Sequence, residues 1–180
     1  MANARERILD VAEARLLATG PAGLVLDAIA ADAGVSKGGL LYHFRSKEAL
    51  VGGLCDRMLE RFDRDLETLC QLDDEPRGAW TRAYLNSTIT DEGKPADSSA
   101  QLMAGILSTL GHDSSHLEAV RASFARWHGR LRDDGIDPTQ ATIVRLAADG
   151  LWLSALLGLT EPDPAMSRDV IRALRELARG

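Results

Sequence analysis

Apolar residues recur along this chain at spacings of three and four and never alternate for long, so the pattern predicts helices throughout and no sheet. Over residues 4–18, Ile8, Leu9, Ala12 and Leu16 fall on one side of a helix that ends at Thr19-Gly20-Pro21. Residues 27–33 form a second, short helix with Ile29 and Ala30 inward. Gly34 breaks it, because glycine tolerates the left-handed conformation that ends a helix and turns the chain sharply. Val35 then anchors the turn, Ser36 caps a third short helix, and Ser46 caps a fourth starting at Lys47. The stretch from Asp27 to Leu50 is a helix-turn-helix with the start of its support. Phe44 belongs to its core.

The fourth helix carries Leu50, Leu54, Met58 and Phe62 as a stripe, joined by Leu59, Leu66 and Leu69, and meets no proline until Pro76. It is the rod that leaves the small domain. Residues 76–89 make the next helix, with Trp80, Tyr84 and Leu85, and residues 90–99 (TDEGKPADSS) form a loop. A helix over 101–110 bears Leu102, Met103, Ile106, Leu107 and Leu110; Gly111 ends it. Asp113 or Ser114 caps a long helix to Leu131 with Leu117, Val120, Phe124 and Trp127, and Gly135 closes that one. Residues 139–159, opened by Asp137-Pro138, are apolar nearly all round, which demands burial on more than one side. After Pro162 and Pro164 a last helix sets Val170, Leu174 and Leu177 against Arg168, Arg172 and Arg175. A chain of 180 residues has little to cover both final helices, so a second copy is expected to do it. The fold class is all-α, about nine helices in two domains, 1–46 and 47–180.

Composition adds constraints. With 45% hydrophobic and 27% charged residues the chain is an ordinary globular one. The net charge of −6 looks wrong for a nucleic-acid binder until it is divided: residues 1–50 hold six Lys/Arg and six Asp/Glu, so the acidic excess lies beyond them. Lys37, Arg45 and Lys47 gather at the turn with His43, and local sign governs binding. Cys55 and Cys70 lie on one helix about 22 Å apart at 1.5 Å per residue and cannot pair, consistent with a reducing compartment. The longest apolar stretch, 151–159, falls short of the roughly 18 residues of a membrane span, and no charged-then-apolar leader opens the chain. A cytoplasmic protein with no membrane partner is expected.

The segment AGVSKGGLLYHFRSKEAL resembles the DNA-binding signature of the TetR family of transcriptional regulators, and the likeness runs from about Arg7 to Leu54. Val25 stands where many members have Thr or Ser, and Leu41 where many have Tyr; Tyr42 is placed to take over part of that role. The segment ATIVRLAADGLWLSALLGL is similar to the C-terminal part of a multidrug-responsive subgroup. The resemblance implies a homodimer joined through its last two helices as a four-helix bundle, a palindromic double-stranded DNA operator, and release by a small, mainly apolar molecule.

The DNA-facing set is then Ser36, Lys37, Gly38, Gly39, Tyr42, His43 and Lys47. Lys37 and Gly39 are assigned to the major groove, and Tyr42, His43 and Lys47 to phosphates. Gly38 and Gly39 each cost about 1 kcal/mol in a helix relative to Ala, which asks for close approach to another surface. The plainer alternative is that Tyr42 and His43 only pack. For the effector, Phe62, Met103, Leu107, Phe124, Trp127 and Trp152 are candidate lining, with core packing as the competing role for each. Asp149, a carboxylate in an apolar helix, either pairs with Arg145 four residues back or meets a cationic ligand. His112 and His116 stand at i, i+4, but no third ligand follows and no cofactor or metal is expected. No phosphate loop or nucleophile motif points to an enzyme. The competing function is a helical dimer that binds a small molecule or protein without DNA; the Val25 and Leu41 departures allow it, and Lys37, His43 and Lys47 argue against it.

Overall fold

The structure, a computed structural model, describes residues 3–110, 114–159 and 163–180. Among these residues it holds nine α-helices and one isolated bridge, Ile89 to Pro95, with no sheet. The helices are α1 (Ala4–Thr19), α2 (Leu26–Asp32), α3 (Lys37–His43), α4 (Lys47–Leu72), α5 (Ala79–Thr88), α6 (Ser99–Leu110), α7 (Ser114–Arg132), α8 (Pro138–Leu157) and α9 (Pro164–Leu177). Two compact units result, residues 1–58 with 101–118, and residues 59–100 with 119–180.

In the first unit the stripe Ile8, Leu9, Ala12 and Leu16 of α1 is buried, together with Ile29, Ala30, Leu40, Phe44, Leu50 and Leu54. Each large side chain among them contributes about 1.5–3 kcal/mol by leaving water. The local stops are those the residues dictate. Gly34 adopts φ 65° after α2, the Ser36 hydroxyl accepts from the Gly39 N–H at 3.0 Å, and the Ser46 hydroxyl accepts from Ala49 N–H at 3.1 Å. On α4, Gly53 lets the Phe44 ring reach the helix backbone: a Cβ there would lie 2.7 Å from Phe44 Cε1 and 3.3 Å from Leu9 Cδ2. One turn further on, the Arg57 side chain is 8% exposed and its guanidinium donates to Asp10 at 2.6 Å and to Glu13, both on α1.

In the second unit α5 packs on α8 and α8 on α9. Two boundaries differ from the sequence expectation. The rod stops at Leu72 rather than reaching Pro76, and the following helix begins at Ala79 rather than Pro76. Gly78 takes φ 78°, and the free N–H groups of Trp80 and Thr81 donate to Asp134, at 3.0 and 2.7 Å, from beyond α7. That cap lies more than fifty residues away in sequence, which is why local reading missed it. Asp137 caps α8 through Thr139 and Gln140, and Gly158 closes it at φ 62°. The inner face of α8 (Ala141, Val144, Ala148) is buried, whereas Ile143, Leu146, Leu153 and Leu157 on its other side stand exposed. The expected stop at Gly111, the Asp113 cap, His112 and Pro162 lie outside the described residues, as does the side chain of His116.

The contact at Gly53 yields a test. Ala is the better helix former, yet Gly53→Ala forces the Phe44 ring and Leu9 apart and is expected to destabilise the fold by about 1–3 kcal/mol. Urea unfolding of the two proteins measures it, and an unchanged midpoint would show that the ring yields freely.

Candidate functional site

The turn between α2 and α3 sets one face of α3 to solvent. Leu40 and Phe44 point inward, and Ser36, Lys37, Gly38, Tyr42, His43 and Arg45 lie on the exposed side, with Gly39 half-buried. Tyr42 is 84% exposed and stands edge-on to the His43 ring, centroids 5.2 Å apart, so its packing alternative does not hold. Added Cβ atoms at Gly38 and Gly39 would meet only Ser36 Oγ, at 3.9 and 3.3 Å, and the Val35 side chain at 3.8 Å from the latter. No internal packing therefore asks for Gly38, whereas at Gly39 the Ser36 hydroxyl that caps α3 already crowds a side chain.

The cations of this face are less available than their number promises. Lys37 Nζ lies 2.9 Å from Asp27 Oδ1 and 3.2 Å from Oδ2. Lys47 is half-buried and donates to the Pro21 carbonyl at 3.0 Å. Arg45, outside the expected DNA-facing set, is exposed and makes no ion pair among the described residues. Asp27 was missed as a partner because a spacing of ten across a turn carries no local signal. Val25, half exposed, gives α2 no side-chain cap.

The effector candidates separate. Met103 and Leu107 belong to the first unit, Met103 buried and Leu107 39% exposed. In the second unit Phe62, Phe124 and Trp127 come together, with centroids 4.7 Å from Phe62 to Trp127 and 5.0 Å from Phe124 to Trp127. Tyr84 joins them, 5.7 Å from Phe62, as does His128, 5.5 Å from Phe124. Trp152 is tied instead to Ser99, its indole N–H donating at 3.0 Å.

Asp149 pairs with Arg145 at 3.1 Å, as one of its two expected roles required, and also accepts from the Tyr84 hydroxyl at 2.6 Å. Arg145 Nη1 lies 3.4 Å from His128 Nε2. Burial, and then the Asp149 charge, hold the Tyr84 phenol protonated well above its ordinary range. Burial, and then Arg145, push the His128 imidazole below its ordinary 6.5 toward the neutral form. Tyr84 and His128 escaped sequence analysis: the one reads as a core aromatic, the other as a lone histidine on a polar face.

A cleft of about 370 Å³ in the same unit is lined by Cys70, Trp80, Ala125, Arg126, Gly129, Arg130, Asp133 and Asp134, and by none of the effector candidates. Arg130 lies over the Trp80 ring at 3.5 Å, and Arg126 pairs with Asp63 at 2.6 Å. No group of His, Cys, Asp and Glu suited to a metal occurs among the described residues. No helix among them is long and apolar enough to cross a membrane. Burial raises the Cys55 thiol to about 11, leaving it unreactive.

Residues 8–54 match the family model of bacterial regulatory proteins of the tetR family, and residues 78–179 that of the tetracyclin repressor-like C-terminal domain. No curated protein matches the chain. Among solved structures, a TetR family member from Streptomyces coelicolor A3 is 26% identical, with 96% of this chain and 98% of that one aligned at a TM-score of 0.66. The multidrug binding protein EbrR complexed with ethidium is 27% identical over 96% of this chain and 98% of that one, TM-score 0.64. A transcriptional regulator from Rhodococcus sp. Rha1, 21% identical over 98% and 94% with a TM-score of 0.69, shares the fold. The second family model alone spans more than half of the 180 residues, the first covers the helix-turn-helix, and the chain belongs to the TetR family of transcriptional regulators, which are not enzymes.

Proposed function

We propose that this regulator is a ligand-responsive repressor that holds an inverted-repeat operator as a homodimer, with residues 1–46 contacting DNA and residues 47–180 providing the dimer and the effector site. The observation that carries it is Gly38 on the exposed face of a seven-residue helix, where it costs about 1 kcal/mol and nothing inside the protein requires it. A surface that must come close to the α3 backbone does require it, and the edge of a major groove is such a surface. Lys37 and Gly39 then face the groove, Tyr42 and His43 the phosphates, with Ser36 holding the turn; Lys47 spends one of its three donors on the Pro21 carbonyl and keeps the others for a phosphate.

The dimer reading is supported by α8. Ile143, Leu146, Gly150, Leu153 and Leu157 repeat at spacings of three and four on the side opposite its buried face, and a Cβ at Gly150 would meet nothing. That is the seam of a helix pair awaiting a mate. On α9, Met166, Val170, Ala173 and Leu177 repeat in the same way beside the buried Ser167, Ile171 and Leu174. An inverted-repeat operator asks such a dimer to present its recognition helices about 34–36 Å apart, one turn of DNA.

The effector reading places a mainly apolar, cationic molecule against Phe62, Phe124, Trp127 and Asp149, helped by the 27% identity to a protein complexed with ethidium, an aromatic cation. Phe62 lies on the same helix as Lys47, Leu50 and Arg57, so an effector that shifts α4 alters the distance between recognition helices. Met103, Leu107 and Trp152 have weaker support. A second reading, a ligand-binding dimer without an operator, is favoured by the engagement of both Lys37 and Lys47 inside the protein.

Three measurements test these statements. In anisotropy titrations against a duplex recovered by random-sequence selection, Gly38→Ala is expected to weaken binding on the order of tenfold or more while stabilising the fold by up to about 1 kcal/mol. Equal binding would remove the close-approach argument, and failure of the parent protein to recover any duplex would leave the second reading. Sedimentation is expected to show a dimer that Leu153→Asp converts to a folded monomer, since each two-fold seam then buries two carboxylates; a monomeric parent sinks the bundle. Ethidium fluorescence, read with protein alone, should report binding that Asp149→Asn weakens on the order of tenfold, the weight of one charge-assisted contact, and indifference to that change would remove Asp149 from the site.

A further inference from the structure

Asp27 is an acid on the side of the molecule where acids are least expected. Both its oxygens reach Lys37 Nζ, at 2.9 and 3.2 Å, and the two side chains are 65% and 63% exposed, so the pair lies on the surface and does not hold the fold together. Around it, Lys47 is bonded to the Pro21 carbonyl, Arg45 has no partner among the described residues, and Glu48 is a second exposed acid. Of three cations near the turn, one stands uncommitted.

We propose that Asp27 is a specificity-determining residue: it lowers affinity for DNA in general and leaves Lys37 able to read one base. The proposal rests on the DNA-binding reading. Affinity for arbitrary sequence comes almost entirely from cations that neutralise phosphates. A carboxylate beside Lys37 subtracts from that term twice, by occupying the ammonium and by repelling the phosphate that would replace it. Contact with a base edge is different. An ammonium carries three donors, so Lys37 can keep Asp27 and still donate a hydrogen bond to guanine O6 or N7, both acceptors in the major groove. Asp27 therefore aims Lys37 at a base and away from the backbone.

The test compares a duplex recovered by selection with a scrambled one of the same length, over a series of salt concentrations. Asp27→Asn is expected to tighten binding to the scrambled duplex about three- to tenfold and to steepen its salt slope by about one, as one more phosphate contact requires. Binding to the selected duplex should change by less than about twofold, so the ratio between the two falls. Asp27→Glu should behave as the parent, and in a Lys37→Met background Asp27→Asn should move the scrambled affinity by less than about twofold. Thermal melts confirm that the variants fold. Equal tightening on both duplexes, no tightening on either, or an effect that survives without Lys37 overturns the proposal while the DNA-binding reading stands. If the parent protein selects no sequence, that reading fails, and Asp27 has no specificity to set.

Discussion

The recognition helix is seven residues long with two glycines among them, far below the length at which a helix holds itself in water. Its position has to be imposed, and the place where it is imposed is the contact of Phe44 with α4 at Gly53. Phe44 ends α3, and its ring occupies the space a side chain at Gly53 would fill; Leu9 of α1 closes the same spot from the other side. Three helices thus meet at one missing methyl group. Arg57, one turn along α4, adds direction to that contact, because a guanidinium bound to Asp10 and Glu13 fixes the rotation of α4 against α1 as apolar packing alone does not. Any displacement of α4 acts on α3 through this junction.

What could be read from the sequence follows the range of the interactions. The helix-turn-helix was legible because its stops are local: Gly34 and the Ser36 and Ser46 caps all depend on residues within a few positions. The start of α5 was not, since its cap is Asp134, brought in from the far end of α7. The rest of the second unit was legible as helices from spacing, but not as a site. Phe62, Phe124 and Trp127 were foreseen as apolar and their meeting was not derivable; Tyr84 and His128 carried no mark that separated them from ordinary packing. Met103 and Leu107 looked equivalent to these by composition, and only the structure assigns them to the other unit.

Charge is placed with a similar division. The acidic excess of the whole chain lies beyond residue 50, yet the DNA-facing part is itself neutral by count. Two of its cations, Lys37 and Lys47, are engaged by Asp27 at the surface and by the Pro21 carbonyl. On the proposed reading such a surface would attract DNA weakly at a distance and gain its affinity in contact, through the close approach that Gly38 permits and the apolar and hydrogen-bonding edges of Tyr42 and His43. In the proposed dimer the second copy would matter more than charge, because each weak half-site contact becomes intramolecular once the other is made.

The same economy governs the interior of the second unit. Asp149 is not a bare charge waiting for a ligand: Tyr84 and Arg145 already satisfy both of its oxygens, and His128 stands next to the guanidinium. A half-buried carboxylate without such partners would cost the fold stability. A cationic effector of the kind proposed would exchange with Arg145 there, and its net gain would be the difference between two ion pairs, not the whole of one. Affinity has to come from the aromatic walls, and selectivity from whether the guest returns to Asp149 what it takes away. A neutral guest that displaced Arg145 would strand the carboxylate. In the proposed effector site, charge on the guest would therefore decide admission more than strength.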